Sequence, residues 1–247
     1  MKKKLLLSVA FFGAAAAVNS SALAAPPMYS WTGCYIGLNA GYGWGRGSVD
    51  GNATGLATLG LPTAFSTTPN LNGFIGGGQV GCNWQNSNAV WGLETDFQGS
   101  GQKASRSYTV PFNNGEGVSQ SVEARLRWFG TVRARAGVLV VPTVLLYGTG
   151  GLAYGNVKVT DTISVTNNGT TTSGAFSTST TRAGWTVGLG VEGMLPNAPG
   201  WTWKVEYLYL DLGSINGAAT DPLGGVVSWS ARVTDNIVRA GFNLKFP

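Results

Sequence analysis

The sequence predicts an all-β protein: an eight-stranded antiparallel transmembrane β-barrel that follows a cleaved signal peptide. Eight segments alternate apolar and polar side chains with a period of two, which is typical of strands whose two faces meet different surroundings. The links between them alternate between short and long, as in membrane barrels. Charged residues are only 11% of the 247 residues, and 38 glycines and nine tryptophans accompany them. Soluble domains carry roughly 25% charged residues, so this composition favours a lipid-facing surface.

The N-terminus has the three parts of an export signal. Residues 1–4 are basic, residues 5–18 are apolar, and residues 22–24 read Ala-Leu-Ala, which suits a signal peptidase. The apolar stretch is shorter than the roughly 20 residues of a spanning helix. We therefore expect residues 1–24 to be removed and residues 25–247 to form one barrel domain.

Removal of the signal leaves a nearly neutral chain. Of the 16 basic residues, Lys2, Lys3 and Lys4 leave with the signal, so 13 remain against 11 acidic residues. A nucleic-acid binder would show a clustered basic surface together with a matching fold motif, and the sequence shows neither. No nucleic-acid partner is expected.

The first three segments, residues 34–44, 73–84 and 90–98, each set an apolar face against glycines and polar residues. The apolar side chains are Cys34, Ile36, Leu38, Ala40, Tyr42, Trp44, Phe74, Val80, Cys82, Trp84, Trp91, Leu93 and Phe97. The polar side chains are Asn39, Gln79, Asn83, Glu94, Asp96 and Gln98. Each length is close to the roughly 9–11 residues of a tilted membrane strand.

The fourth segment, residues 121–138, carries a row of arginines at odd positions. These are Arg125, Arg127, Arg133 and Arg135. Leu126, Trp128 and Val132 occupy even positions and are expected to face lipid. A membrane barrel encloses its polar face, so the whole arginine row is expected in the lumen.

The last four segments complete the barrel. Residues 144–155 are apolar on both faces, so their orientation stays open. Residues 182–194, 201–210 and 236–246 alternate again. Their outward side chains include Trp185, Leu189, Val205, Tyr207, Val238 and Phe242, and their inward ones include Thr186, Glu192, Lys204, Glu206, Arg239 and Asn243.

The connections predict the orientation. Residues 85–89, 139–143 and 195–200 are short links, whereas residues 45–72, 99–120, 156–181 and 213–230 are long and rich in Gly, Ser, Thr and Asn. In outer-membrane barrels the short turns are periplasmic and the long loops extracellular. An even number of strands then puts both termini in the periplasm of a cell outer membrane.

The inward charges predict a lumen network. Its members are Glu94, Asp96, Arg125, Arg127, Arg133, Arg135, Lys204, Glu206 and Arg239. Eight strands leave an interior just wide enough for side chains to fill, so ion pairing, with Glu123 as a further partner, is the first interpretation. The arginines could instead attract anions through a narrow pore, or bind a polyanion such as lipopolysaccharide.

The chemistry that the chain can carry is limited. It has no histidine, so mechanisms that need an imidazole base have none. Glu94 and Asp96 could form a paired-carboxylate site, but neutralisation by Arg133 and Arg135 is favoured because an enclosed unpaired charge is costly. We expect no enzyme, no cofactor and no metal site.

Two cysteines allow a covalent link. Cys34 begins the first segment and Cys82 lies near the end of the second, both with outward parity. Export supplies an oxidising compartment, so a disulfide is expected if the two Cα atoms lie within about 7 Å. The alternative is two small lipid-facing residues.

Several segments, taken as a set, resemble a known family. They include WTGCYIGLNAGYGWG from Trp31, GFIGGGQVGCNWQ from Gly73, WFGTVRARAG from Trp128, WTWKVEYLYLDLG from Trp201 and NIVRAGFNLKF from Asn236. This set is similar to the Omp25/Omp31-like outer membrane β-barrel family of alphaproteobacteria. The resemblance implies an eight-stranded barrel related to the membrane domain of OmpA.

The resemblance also implies partners. Family members end in an aromatic residue that the barrel-assembly machinery reads, and Phe242, Leu244 and Phe246 match that signal, whereas Pro247 departs from it. Members are variously structural, porin-like, haemin-binding or surface antigens. Haemin would here need Tyr, Met or Cys as its axial ligand.

The sequence therefore predicts a structural outer-membrane barrel that supports the envelope and displays four long loops. Its surroundings would be outer membrane lipid and lipopolysaccharide. A small porin and a loop-based receptor or adhesin remain the alternatives, and the loop residues specify no ligand.

Overall fold

The computed structural model describes residues 30–53, 64–67, 70–111, 117–167, 170–220 and 226–246. The predicted signal peptide and Pro247 lie outside these residues. The strands are β1 Gly33–Ala53, β2 Ala64–Thr67, β3 Asn70–Asn86, β4 Ala89–Ser100, β5 Lys103–Pro111, β6 Gly117–Val141, β7 Val144–Asn167, β8 Thr170–Met194, β9 Trp201–Thr220 and β10 Val226–Phe246. No helix within the described ranges is long and apolar enough to cross a membrane.

Eight of these strands pair antiparallel in a closed ring, in the order β1, β3, β4, β6, β7, β8, β9, β10. The ring closes because β1 pairs with both β3 and β10. The short strand β2 pairs with β1, and β5 follows β4 and pairs mainly with β6. Closure leaves no unpaired edge for lipid to meet. The predicted all-β antiparallel barrel is confirmed.

The two ends of the ring differ. One end, called here the turn end, holds the first and last described residues and the connections at residues 87–88, 142–143 and 195–200. The opposite end, the loop end, holds the long hairpins. β7 and β8 stay in register there as far as the pair Asn167 and Thr170.

The strands extend into the segments that were predicted to be long loops. β1 continues to Ala53, β9 to Thr220, and β7 and β8 pair throughout most of the predicted link 156–181. A hairpin that rises above the membrane meets water on both faces and needs no apolar alternation. The strands of these hairpins are therefore paired although their sequences do not alternate apolar and polar residues.

The outer face of the ring is apolar, as expected. Phe74 is 78% exposed and Leu38 is 73% exposed, and they belong to a continuous set of exposed apolar side chains, as expected of a lipid-facing surface. Exposed tryptophans lie towards both ends, with Trp84, Trp91 and Trp201 near the turn end and Trp44 and Trp185 towards the loop end. Aromatic rings at two levels are typical of the membrane interfaces.

A bulge in β6 overturns part of the arginine prediction. The register of β6 against β7 shifts between Leu126 and Trp128, so one extra residue, Arg127, enters the strand. Below the bulge the odd positions point inward, and above it the even positions do. Leu126 is therefore fully buried, whereas Arg125 and Arg127 lie on the exposed outer face.

The lumen is filled in three layers. An apolar cluster at the turn end contains Trp31, Val90, Leu145 and Tyr147. A larger apolar cluster towards the loop end includes Leu126, Phe129, Leu208, Leu210 and Ile237. A layer of buried charged side chains, which includes Glu94, Asp96, Arg133 and Glu206, lies between the two clusters.

Candidate functional site

The charged layer of the lumen is the candidate functional site. The structure places seven of the nine predicted network residues inside it: Glu94, Asp96, Arg133, Arg135, Lys204, Glu206 and Arg239. Each comes from a strand whose neighbouring side chains face lipid. Arg125 and Arg127 are corrected to the outer face for the reason given above, and Glu123 pairs with Arg125 there.

Glu94 of β4 is the centre of the layer. Lys204 Nζ lies 2.9 Å from both of its carboxylate oxygens. Arg133, its cross-strand partner, donates to Oε1, and the Tyr35 hydroxyl donates to Oε2 at 2.6 Å. Arg135 Nη1 lies 3.6 Å from Oε2. Arg239 Nη2 of β10 lies 3.6 Å from Oε1, so cations from three strands and one phenol surround the carboxylate.

Asp96 and Glu206 complete the centre. Arg239 Nη2 lies 2.9 Å from Asp96 Oδ2 and 2.6 Å from Glu206 Oε2. Arg133 reaches the same two carboxylates, at 3.0 Å in each case. The guanidinium groups of Arg133 and Arg239 therefore each bridge the same two carboxylates. Each guanidinium can do so because it carries several N–H donors.

The sequence analysis placed Glu192 on the inward face but omitted it from the network. Arg135 Nη2 lies 2.6 Å from Glu192 Oε2, and the Thr202 hydroxyl donates to Oε1 at 2.6 Å. With Glu192 included, four carboxylates face four cations in this layer; Asp235, a further buried carboxylate, lies outside the layer and accepts a hydrogen bond from Gln102 at 2.8 Å. Buried charges are costly unless they are paired, and each charge of this layer has at least one partner of opposite sign.

Two tyrosines in the lumen were not predicted as site residues. Tyr35 accepts a hydrogen bond from Arg135 at 2.8 Å, and the Tyr147 hydroxyl donates to Glu206 at 3.0 Å. The Arg135 guanidinium also lies 4.0 Å from the centre of the Tyr147 ring. The sequence pattern of the first segment already places Tyr35 on its inward face. Segment 144–155 is apolar on both faces, so its pattern does not show which way Tyr147 points.

Glycines opposite these tyrosines make room for the rings. Tyr35 pairs with Gly81 across β1 and β3, and Tyr147 pairs with Gly190 across β7 and β8. A Cβ at either glycine would lie 2.4 Å from the tyrosine hydroxyl. Some of the many glycines are therefore needed because a larger residue at an inward position would collide with a neighbouring tyrosine ring.

Trp31 closes the lumen at the turn end, a role that the sequence did not predict. Its ring is fully buried, and its indole N–H donates to the Pro142 carbonyl at 3.1 Å. Its backbone N–H donates to the Gln85 side chain at 2.8 Å. These bonds fix the chain before β1 beneath the barrel.

Amide side chains extend the polar layer beside the charges. Asn39 donates to Gln79, Gln79 donates to Asn243 at 2.7 Å, and Asn243 donates to Glu192 at 2.9 Å. These bonds link β1, β3, β10 and β8. No group of acidic and thiol side chains suited to a metal ion occurs in the described ranges.

Cys34 and Cys82 are directly opposite in the register of β1 and β3. They form a disulfide, with Cα atoms 3.9 Å apart. The predicted assembly residues Phe242, Leu244 and Phe246 are exposed on the outer face of β10.

The comparisons agree with this architecture. Residues 5–246 match the family described as the outer membrane protein beta-barrel domain. The 31 kDa outer-membrane immunogenic protein of Brucella melitensis biotype 1 is 38% identical over 262 residues, with 100% of both chains covered. The 22 kDa outer membrane protein of Rhizobium leguminosarum bv. viciae is 34% identical, covering 89% of this chain and 80% of that protein.

A further relative shows the same pattern. The 25 kDa outer-membrane immunogenic protein of Brucella abortus biovar 1 is 32% identical, with 89% of this chain and 81% of that protein covered. Together with the closed ring and its apolar outer face, these matches show that the chain is an outer membrane β-barrel protein of the Omp25/Omp31 family.

Proposed function

We propose that this protein is a structural component of the outer membrane, a sealed barrel that supports the envelope and carries hairpins beyond it. The observation that carries the proposal is the ion pair of Lys204 with Glu94. Four steps separate β9 from β4 around the ring of eight, so the pair joins opposite walls at 2.9 Å. The charged side chains around this pair are also buried, which supports a lumen without an open path for solutes.

The apolar layers support the same proposal. Trp31 and Leu145 fill the lumen at the turn end, and Phe129 and Leu208 fill it towards the loop end, all fully buried. A diffusion porin needs a water-filled channel lined by polar groups. The filled interior argues against the porin alternative.

The proposal includes no catalysis. The chain has no histidine. The sequence offered Glu94 and Asp96 as a paired-carboxylate site. Both carboxylates form ion pairs with arginines. These ion pairs support a structural role for both carboxylates.

The turn end and both termini would lie in the periplasm, with the loop end outside the cell. A cysteine labelling experiment tests this orientation in a Cys34→Ser/Cys82→Ser background. Ser173→Cys, in the β7–β8 hairpin, should react in intact cells with a maleimide attached to a large polyethylene glycol. Asn88→Cys, in the β3–β4 turn, should react only after the outer membrane is permeabilised. The reverse pattern would overturn the orientation.

Envelope integrity tests the structural role. A strain without the protein should become more sensitive to detergents and to large antibiotics that an intact outer membrane excludes. Full complementation is expected from a shortened variant in which residues 161–176 are replaced by Asn-Gly. Thr160 and Ser177 are cross-strand partners, so a two-residue turn can join them.

The shortened variant also separates the second candidate, a receptor or adhesin. One observation favours that candidate: the β7–β8 hairpin extends well beyond the barrel wall, and residues 170–175 near its tip are exposed. If the shortened variant restores envelope integrity but loses attachment of the cells to a surface, the hairpin acts as a receptor or adhesin; if it restores both, the structural role alone is supported.

Assembly would depend on the last strand. The outward Phe242, Leu244 and Phe246 would be read by the barrel-assembly machinery, with Phe246 as the effective terminal aromatic. Deletion of Pro247 should leave surface yield equal or higher. A lower yield without Pro247 would show that another feature is read.

A further inference from the structure

A row of three cations crosses the outer face of the barrel just beyond the β6 bulge. Lys103 of β5 is opposite Arg125 of β6, and Arg125 is opposite Lys158 of β7. Arg127 lies on the same face of β6. Like charges placed directly opposite one another on a sheet repel, so this row is unfavourable in the protein alone.

Little of this charge is neutralised by the protein. Glu123 pairs with Arg125, and the hydrogen bond from Arg125 holds the pKa of that carboxyl below its usual range. Lys103 and Lys158 share the attraction of the same Glu123 carboxylate, so one acidic side chain serves three cations of the row. Four cations against one carboxylate leave a net charge of about +3 on this patch, which draws anions from its surroundings.

The cations border a cleft that is open to the outside. Its volume is about 590 Å³, and Lys103, Glu123, Arg125, Arg127 and Lys158 are among its lining residues. The bulge creates this arrangement, since without the extra residue the side chains of Arg125 would point into the lumen. Bulges commonly re-aim side chains in this way.

Aromatic rings lie directly beneath the patch. Trp128 follows Arg127 in the chain and stacks on Phe97, with ring centres 5.4 Å apart, and Tyr154 contacts Trp128 edge to face. Phe97 is 54% exposed on the lipid-facing surface. Such rings mark the boundary between hydrocarbon and headgroups, so the cations stand at headgroup level.

We infer that the cleft formed by Lys103, Arg125, Arg127 and Lys158 binds the phosphate groups of an outer-leaflet phosphorylated glycolipid, with the acyl chains lying along Phe97 and Trp128. The cations would form ion pairs with the phosphate groups. The aromatic rings would contact the acyl chains of the same molecule. Assignment to the outer leaflet rests on the orientation proposed above, whereas the binding itself does not depend on it.

Titration of the full protein, folded in detergent micelles, with bis-phosphorylated lipid A tests the inference, with bound lipid counted by native mass spectrometry. The Lys103→Gln/Lys158→Gln variant keeps the Arg125–Glu123 pair and should raise the dissociation constant at least about tenfold, as expected for two cations near anionic lipid. The matched control is Arg46→Gln/Arg106→Gln, which removes two exposed cations away from the cleft and should change the constant less than about twofold.

A stability measurement gives an independent readout. Without lipid A, the Lys103→Gln/Lys158→Gln variant should unfold at equal or higher temperature than the unmodified protein, because the repulsion in the row is relieved. At the same lipid A concentration, the unmodified protein and the control should gain more stability than the variant, because the variant binds the lipid more weakly. Unchanged migration of unboiled protein on gels confirms that each variant is folded.

Three outcomes would overturn the inference. Equal weakening in the variant and its control would show general charge attraction. Equal binding of lipid A stripped of both phosphates would show a purely apolar contact. Saturation of the cleft by inorganic phosphate or by heparin at lower concentrations than lipid A would assign it to a soluble anion. None of these outcomes bears on whether the lumen is sealed.

Discussion

Lys204 of β9 and Glu94 of β4 stand on opposite walls of the barrel and meet at its centre, with the ammonium 2.9 Å from both carboxylate oxygens. The two residues are separated by 110 positions in the chain. Their contact exists only if the ring is closed with its present strand number and register. A measurement on this pair therefore tests the strand arrangement of the barrel as well as the closure of its lumen.

Removal of one partner of this pair should destabilise the barrel. Lys204→Met leaves Glu94 with fewer cations in a dry environment, and we expect the free energy of unfolding in urea to fall by about 3 kcal/mol. The control Arg46→Met removes an exposed cation and should change it by less than about 0.5 kcal/mol. Equal effects of the two substitutions would contradict a buried central pair.

The Trp31 closure should also contribute to stability. Trp31→Ala empties a buried site at the turn end and should lower the free energy of unfolding by about 3–5 kcal/mol. Trp31→Phe keeps most of the packing but loses the N–H donor to Pro142, so a loss of only about 1 kcal/mol is expected. If Trp31→Ala is as stable as the unmodified protein, the tryptophan does not hold the chain beneath the barrel.

The fit of Tyr147 against Gly190 gives a steric prediction. Gly190→Ala would place a methyl group 2.4 Å from the Tyr147 hydroxyl and displace it from Glu206, so a large loss of stability is expected. Gly76→Ala is the matched control on the outer face, where the nearest atom would be 3.7 Å away. Shortening the ring partner in Gly190→Ala/Tyr147→Leu should recover part of the loss. An unchanged unfolding curve for Gly190→Ala would be incompatible with the described packing.

The disulfide has a direct chemical test. Protein extracted without reductant and then denatured should show no reactive thiols, and two should appear after reduction. Two reactive thiols before reduction would mean that Cys34 and Cys82 are separate lipid-facing residues. Because the ring already aligns β1 with β3, the Cys34→Ser/Cys82→Ser variant should still fold, with the stability reduced by about 2–4 kcal/mol.

The strand faces were predictable wherever one side of a strand meets lipid. Glu94 and Asp96 alternate with Leu93 and Phe97, and that alternation alone assigns them to the lumen. Segment 144–155 lacks the contrast because its inward residues, including Leu145, fill apolar layers of the lumen. The inward direction of Tyr147 therefore required the structure.

The β6 bulge explains why the prediction that all four arginines face the lumen was wrong for two of them. Arg125, Arg127, Arg133 and Arg135 keep a period of two through the sequence, and no glycine or proline marks the insertion at Arg127. A single extra residue reverses the face of everything beyond it. Only the pairing of β6 with β7 reveals the shift, and the same shift creates the external cation row.

Trp31 shows a second limit of sequence patterns. It precedes the first strand and belongs to no alternating segment, so nothing local indicates that its ring turns under the barrel. Its contacts with Gln85 and Pro142 are made to two different turns that are distant in the chain. Such a closure depends on the assembled ring.

The central claim is that the lumen is sealed, and single-channel recording on the folded protein in planar bilayers tests it most directly. We expect a flat current with no stable openings for the unmodified protein, and also for Trp31→Ala, since the charged layer above Trp31 remains. Discrete, long-lived openings of large conductance in the unmodified protein would contradict the seal.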